Sequence, residues 1–263
     1  MLVSRKLDAR KYALPVKAAV EKCPALGPYV DPSSNKLDLG SREALAQYNT
    51  CLFRVLECLK LDVPAPHLIP TAGLRRALTD LIMEFRPSKV VEIGTGATAI
   101  MAMLLAKRQV DVVATEVDTA ALHHAKKQVH NNHLTPRVTL LESRGGIFSW
   151  LRNEPSIFPI DGVFCLPPYY KAGQPRKEPT KGFGGTDSEM YSMGEAEDFT
   201  VQLIREVMER PSDLSFMVLL WKDVTTLELG WAELARYDEC LTEVVEVTVG
   251  NRSRYVTLTR IRG

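Results

Sequence analysis

The sequence predicts an α/β fold: a doubly wound, mostly parallel sheet of seven strands that closes with an antiparallel C-terminal hairpin. Three observations carry this. Strand-like and helix-like stretches alternate from residue 89 onward, a glycine-bearing turn follows the first strand, and the last two strand-like runs are separated only by Gly250-Asn251-Arg252. Alternation of this kind builds βαβ units and hence parallel strands. A short turn can join only antiparallel neighbours.

The elements follow in order. Residues 1–70 read as a small helical extension punctuated by Pro24, Gly27, Pro28 and Pro32. Within it, Leu45, Tyr48, Leu52, Val55, Leu56 and Leu59 recur at helical spacing after a capping Ser41. Pro64, Pro66 and Pro70 end that pattern, and the main domain is expected over 71–263. A helix is expected over 72–85, stopping before Pro87. Strands are expected over 89–93, 111–116, 138–142, 162–165, 215–221, 241–250 and 253–261. Helices are expected over 98–107, 119–133, 148–153, 199–208 and 231–237. The long polar stretch 170–197 is rich in glycine and proline; loops of that length inside a domain are uncommon unless functional.

Composition narrows the function. Of 263 residues, 45% are hydrophobic and 25% charged, which excludes a disordered chain. Lys and Arg total 33 against 32 Asp and Glu, a net charge of +1, so a polyanion partner would need a local patch. No apolar run reaches the roughly 18 residues that span a bilayer. The charged N-terminus is not a secretory signal. The expected location is the cytoplasm, or the nucleus of a eukaryote. Five scattered cysteines with no C-x-x-C pair predict reduced thiols, no zinc site and no disulfide framework. His123, His124, His130 and His133 read as a polar helix face rather than a metal set, Trp221 and Trp231 as core, and Cys165 as a strand residue.

The first strand ends in Val91-Glu92-Ile93-Gly94-Thr95-Gly96-Ala97-Thr98. Its two glycines allow close backbone approach to a ligand, but Thr98 stands where a dinucleotide fingerprint has its third glycine. Glu92 beneath the turn would repel a pyrophosphate and suits a cationic, hydroxyl-bearing ligand such as S-adenosylmethionine. Glu116 follows Glu92 by 24 residues, the right distance for an acid at the tip of the second strand that accepts ribose hydroxyls. Val117 and Ser143, at the ends of strands two and three, complete the expected cofactor pocket.

The fourth strand runs into Leu166-Pro167-Pro168-Tyr169. Proline carbonyls keep free lone pairs, and an aromatic follows at once. That combination suits an extruded base whose exocyclic amine donates to a carbonyl while Tyr169 stacks on the ring. The arrangement resembles amino-group methyltransferases with an (Asp/Asn/Ser)-Pro-Pro-aromatic motif. More narrowly, it resembles the RNA adenine-N6 methyltransferases that include the bacterial 23S rRNA and human U6 small nuclear RNA enzymes, with archaeal relatives. The resemblance rests on Leu37–Tyr48, on His67-Leu68-Ile69-Pro70-Thr71 through Arg75, on the Glu92–Ala97 and Ala114–Asp118 stretches, and on 166–169 with the glycine-rich run to Glu195.

That resemblance implies a Rossmann-like class I methyltransferase fold, S-adenosylmethionine as cofactor, no metal and an RNA substrate, rRNA or a small structured RNA, handled by a monomer. It implies that Arg75, Thr98 and Glu116 contact the cofactor and that Pro167, Pro168 and Tyr169 hold the base. The family carries Asn where this chain has Leu166. Adenine N6 is the first reading of the target; cytosine N4 is the second, and a catalytically weak RNA-binding scaffold is the third. RNA contacts are expected from Lys6, Arg10 and Lys11, from Arg176, Lys177 and Lys181 in the long loop, and from Arg252 and Arg254 in the hairpin turn.

Overall fold

The computed structural model describes residues 3–38, 40–143, 146–168, 170, 184–191, 199–210 and 213–262. The strands are β1 (Arg5–Asp8), β2 (Val30–Asp31), β3 (Lys36–Leu37), β4 (Lys89–Ile93), β5 (Asp111–Glu116), β6 (Val138–Glu142), β7 (Gly162–Cys165), β8 (Phe216–Trp221), β9 (Cys240–Val249) and β10 (Arg252–Ile261). The helices are α1 (Val16–Lys22), α2 (Arg42–Glu57), α3 (Ala72–Met83), α4 (Ile100–Lys107), α5 (Thr119–Asn131), α6 (Asp187–Met190), α7 (Phe199–Met208) and α8 (Val224–Leu234). Among the described residues, no helix is long and apolar enough to cross a membrane.

The main sheet has eight strands, in the order β1-β9-β10-β8-β7-β4-β5-β6. This corrects the expected seven. The extra strand, β1, comes from the supposedly helical extension and pairs in parallel with β9, Arg5 opposite Val245. Four residues with only Leu7 strongly apolar give no period to read; the partner lies at the other end of the sequence. β10 runs antiparallel to both β8 and β9, as the short turn requires, and the remaining pairs are parallel.

Strand alternation splits the core between the two faces. Val90, Val112, Phe164 and Val218 face α2, α3 and α4. Val91, Val113, Val163 and Met217 face α7 and α8. α4 is apolar all round, and every residue from Ile100 to Ala106 is buried. It begins at Ile100 instead of Thr98 because Ala99 turns left-handed, with φ +45°. α8 begins earlier than the sequence suggested, at Val224, because Asp223 and Thr226 form a reciprocal cap. Trp221 is buried and donates Nε1–H to Thr257 Oγ1 at 3.1 Å.

Gly230 lets α8 lie directly on the Trp221 ring, and a Cβ there would overlap it. Gly230→Ala is therefore expected to cost about 3 kcal/mol by overpacking. A lowered urea midpoint with an unchanged slope would show it; an unchanged midpoint would mean that the helix shifts freely.

The thiol expectation also needs correction. Cys23 is disulfide-bonded to Cys51. α1 packs on α2 through Ala19, Cys23 and Cys51, so the pairing is set by helix packing and leaves no spacing motif. Cys165 is buried in β7, and burial pushes its thiol pKa far up.

Candidate functional site

A cleft of about 240 Å³ opens at the carboxyl ends of β4, β5, β6 and β7. The chain runs β4 to β6 outward in one direction and then returns to place β7 on the other side of β4. Crevices in open α/β sheets form at such reversals.

The turn after β4 needs glycine at both positions, since Gly94 has φ +74° and Gly96 φ +64°. Thr95 locks it from beneath, donating its hydroxyl to Glu92 Oε2 at 2.9 Å and its N–H to Thr115 O at 2.9 Å. Glu92 is 3% exposed. Burial pushes its pKa up to about 8, against the hydrogen bond from Thr95 and the charge of Arg75.

Glu116 ends β5 and gathers three backbone donors. Oε2 accepts from Gly96 N at 2.7 Å, and Oε1 from Val117 N at 2.9 Å and Asp118 N at 3.0 Å. Burial raises its pKa, and those donors pull it back. Oε1 is filled by its two donors, whereas Oε2 still has a lone pair for a hydroxyl ligand. Ser143 N donates to Glu116 O at 2.9 Å and so ties the end of β6 to the same corner.

The adjoining wall, Gly146 and Ile147, is held by Glu206 of α7. Its carboxylate accepts from Ile147 N at 3.0 Å, Phe148 N at 2.6 Å and Ser149 N at 2.8 Å. Burial works to raise the Glu206 pKa, but these donors outweigh it and hold it below the usual value. Nothing in the amphipathic pattern of α7 distinguishes Glu206 from a surface acid.

All nine residues expected to hold the cofactor line this one cleft: Arg75, Glu92, Gly94, Thr95, Gly96, Thr98, Glu116, Val117 and Ser143. Leu166 and Pro168 stand in its wall. Pro167 is half-buried between them. Tyr169, Arg176, Lys177 and Lys181 lie outside the described residues. Sequence reasoning missed Ser188, Glu189 and Tyr191, which also line the cleft. The signal was present, since Thr186-x-x-Glu189 is a capping box inside a stretch read only as loop.

The basic residues gather less tightly. Lys6 pairs with Glu246 at 2.8 Å and Arg10 with Asp8 at 2.7 Å. Lys11 and Arg252 are exposed. Arg254 donates Nη1–H to Lys222 O at 2.6 Å, and Lys222 Nζ lies 4.8 Å above the ring of Tyr170. Because β1 and β9 run parallel to β4, Arg10, Lys11, Arg252 and Arg254 all fall toward the same, carboxyl end of the sheet as the cleft.

The state of Glu92 predicts a pH effect. Its folded pKa, about 8, exceeds the ordinary 4.5, so the unfolded chain gives up this proton first. The contribution of Glu92 to stability is fully present below about pH 4.5 and declines as pH rises through 8. Glu92→Gln is expected to remove that decline and to leave the ligand-free protein more stable than wild type at pH 9, by a few kcal/mol. Urea unfolding at pH 5, 7 and 9 checks it; parallel curves for the two proteins would refute a neutral buried Glu92.

A family described as RNA methyltransferase matches residues 5–226. Ribosomal RNA large subunit methyltransferase F of Pseudomonas syringae is 25% identical, over 89% of this chain and 80% of that protein. Human RNA N(6)-adenosine-methyltransferase METTL16 is 29% identical over 66% of this chain, which spans only 34% of the human protein. The human METTL16 catalytic domain, solved in complex with MAT2A 3′UTR hairpin 1, superposes with a TM-score of 0.81 at 21% identity, covering 93% of this chain and 90% of that one. The N-terminal domain of human METTL16 in complex with SAH gives 0.78 at 20% identity, covering 97% and 98%. These likenesses establish the Rossmann-like methyltransferase fold.

Proposed function

The chain belongs to the RNA methyltransferase family that matches residues 5–226, and from that premise we propose that it transfers the methyl group of S-adenosylmethionine to an exocyclic base amine of a structured RNA, adenine N6 first. The observation that carries this is the convergence of the nine cofactor candidates with Leu166 and Pro168 on one cleft. When bound there, S-adenosylmethionine supplies an electrophilic methyl group.

The residues present fit that cofactor. Glu116 offers the open lone pair of Oε2 to a ribose hydroxyl, and Arg75 offers a cation for a carboxylate. Glu92 is a carboxyl that a cation turns into a carboxylate. Binding of a cationic ligand should therefore release a proton from Glu92, and affinity should rise as pH approaches 8. For the base, the carbonyls of Leu166 and Pro167 accept from the amine and draw its lone pair out of ring conjugation, while Tyr169 stacks on the ring. No strong general base is then needed, and fixed proximity supplies most of the acceleration.

The segment 1–70 contacts RNA alongside the methyltransferase domain at 71–263, a role supported by Arg10 and Lys11 at the carboxyl end of the sheet. Arg176, Lys177, Lys181, Arg252 and Arg254 extend the phosphate track. One observation favours a second acceptor, cytosine N4: the cleft wall carries Leu166, whose side chain cannot accept from adenine's amine. Mass spectrometry of nucleosides from total RNA, with and without the protein, decides between them. N6-methyladenosine dependent on the protein supports the first reading, N4-methylcytidine the second, and no difference in any methylated nucleoside refutes both.

A further inference from the structure

Residues 184–191 connect the walls of the cleft as a short strap. Gly185 N donates to Pro66 O at 2.8 Å, and Tyr170 N donates to Met190 O at 2.8 Å. Ser188 Oγ donates to Asp118 Oδ2 at 2.8 Å. Leu68 N donates to Glu189 Oε2 at 2.9 Å. The strap thus joins the chain before α3, the end of β5 and the exit from the Pro-Pro motif.

Glu189 does more than cap α6. Capping occupies Oε2, which accepts from Thr186 N at 2.9 Å as well as from Leu68 N. Oε1 has other surroundings. It lies 3.3 Å from Nδ1 of His67, and a Cβ on Gly96 would stand 3.7 Å from it. His67 is 6% exposed, and its Nδ1 has no hydrogen-bond partner among the described residues. A buried nitrogen left unsatisfied is costly, and buried polar groups are ordinarily paired. A carboxylate oxygen waiting between that nitrogen and the glycine turn is not explained by the needs of a four-residue helix.

Resting on the reading that this cleft takes S-adenosylmethionine, we propose that Glu189 is a positioning residue for the cofactor: it holds the strap against the glycine turn, completes its hydrogen bond with His67 when the cleft is filled, and so sets how long the cofactor stays. The carboxylate stands beside the glycine turn at Gly96, and the next residue in the strap, Met190, accepts from Tyr170 N.

The test measures dissociation of S-adenosylhomocysteine from the full chain by stopped flow, with steady-state KM for S-adenosylmethionine and for RNA. Glu189→Ala is expected to speed dissociation and raise the cofactor KM by about 10-fold, with the RNA KM within about twofold. Glu189→Gln keeps an acceptor for Leu68 and Thr186 and should recover most of the loss. His67→Phe spares all four fastenings of the strap and should speed dissociation by about threefold, which separates retention from misfolding if the alanine variant is unstable. Wild-type dissociation in both the alanine and phenylalanine variants overturns the proposal alone. A wild-type protein that binds neither S-adenosylmethionine nor S-adenosylhomocysteine overturns the cofactor reading and the proposal with it.

Discussion

Tyr169→Ala is expected to lower methyl transfer to RNA by roughly 100-fold while leaving affinity for S-adenosylmethionine within about twofold. A base stacked on an aromatic ring gains about 1–3 kcal/mol, and a base free to tilt also loses alignment with the methyl group. The cofactor should not sense the change, because its candidates sit on β4, β5 and β6, and Tyr169 follows β7. Tyr169→Phe should retain most of the activity, since stacking does not need the hydroxyl. Single-turnover transfer to an RNA substrate, set beside calorimetry with S-adenosylmethionine, checks both halves. Equal loss of transfer and cofactor affinity would recast Tyr169 as a structural residue of the cleft. Undiminished transfer would remove it from the site.

Glu116→Ala should reduce affinity for S-adenosylmethionine and S-adenosylhomocysteine alike by about 100-fold, the outcome of losing a charged hydrogen bond to the ribose together with the carboxylate that orders the turn, about 3 kcal/mol in total. Two losses combine here. The ribose loses its acceptor, and Gly96, Val117 and Asp118 lose the carboxylate that holds their N–H groups in place. Glu116→Gln separates them. It keeps one acceptor oxygen but turns an NH2 group toward backbone donors, so about a tenfold loss is expected. Calorimetry on both variants reads the effect. Near wild-type affinity in Glu116→Ala would mean that the ribose is held elsewhere.

The lining of the candidate cleft was legible because most of its parts are strand ends. Glu92, Glu116 and Ser143 are fixed by the lengths of β4, β5 and β6, and a parallel sheet brings those ends together without further information. Glu206 and Glu189 were not legible for the opposite reason. Each acts on backbone N–H groups tens of residues away, Glu206 on Ile147 and Glu189 on Leu68, and a helix pattern or a loop composition does not record such a reach. The same holds for Cys23 and Cys51, whose meeting depends on how two helices pack. β1 has no period long enough to detect and is a strand only because β9 offers it an edge.

That last pairing bears on how the protein is made. Arg5 finds its partner at Val245, so β1 must wait until the roughly 240 residues between them have been synthesised before it can settle. A contact of such sequence separation forms late and pays its loop-closure cost at the end of folding. The outer strand therefore reports on synthesis of β9: a ribosome stalled before β9 yields a nascent chain whose β1 is still unmatched.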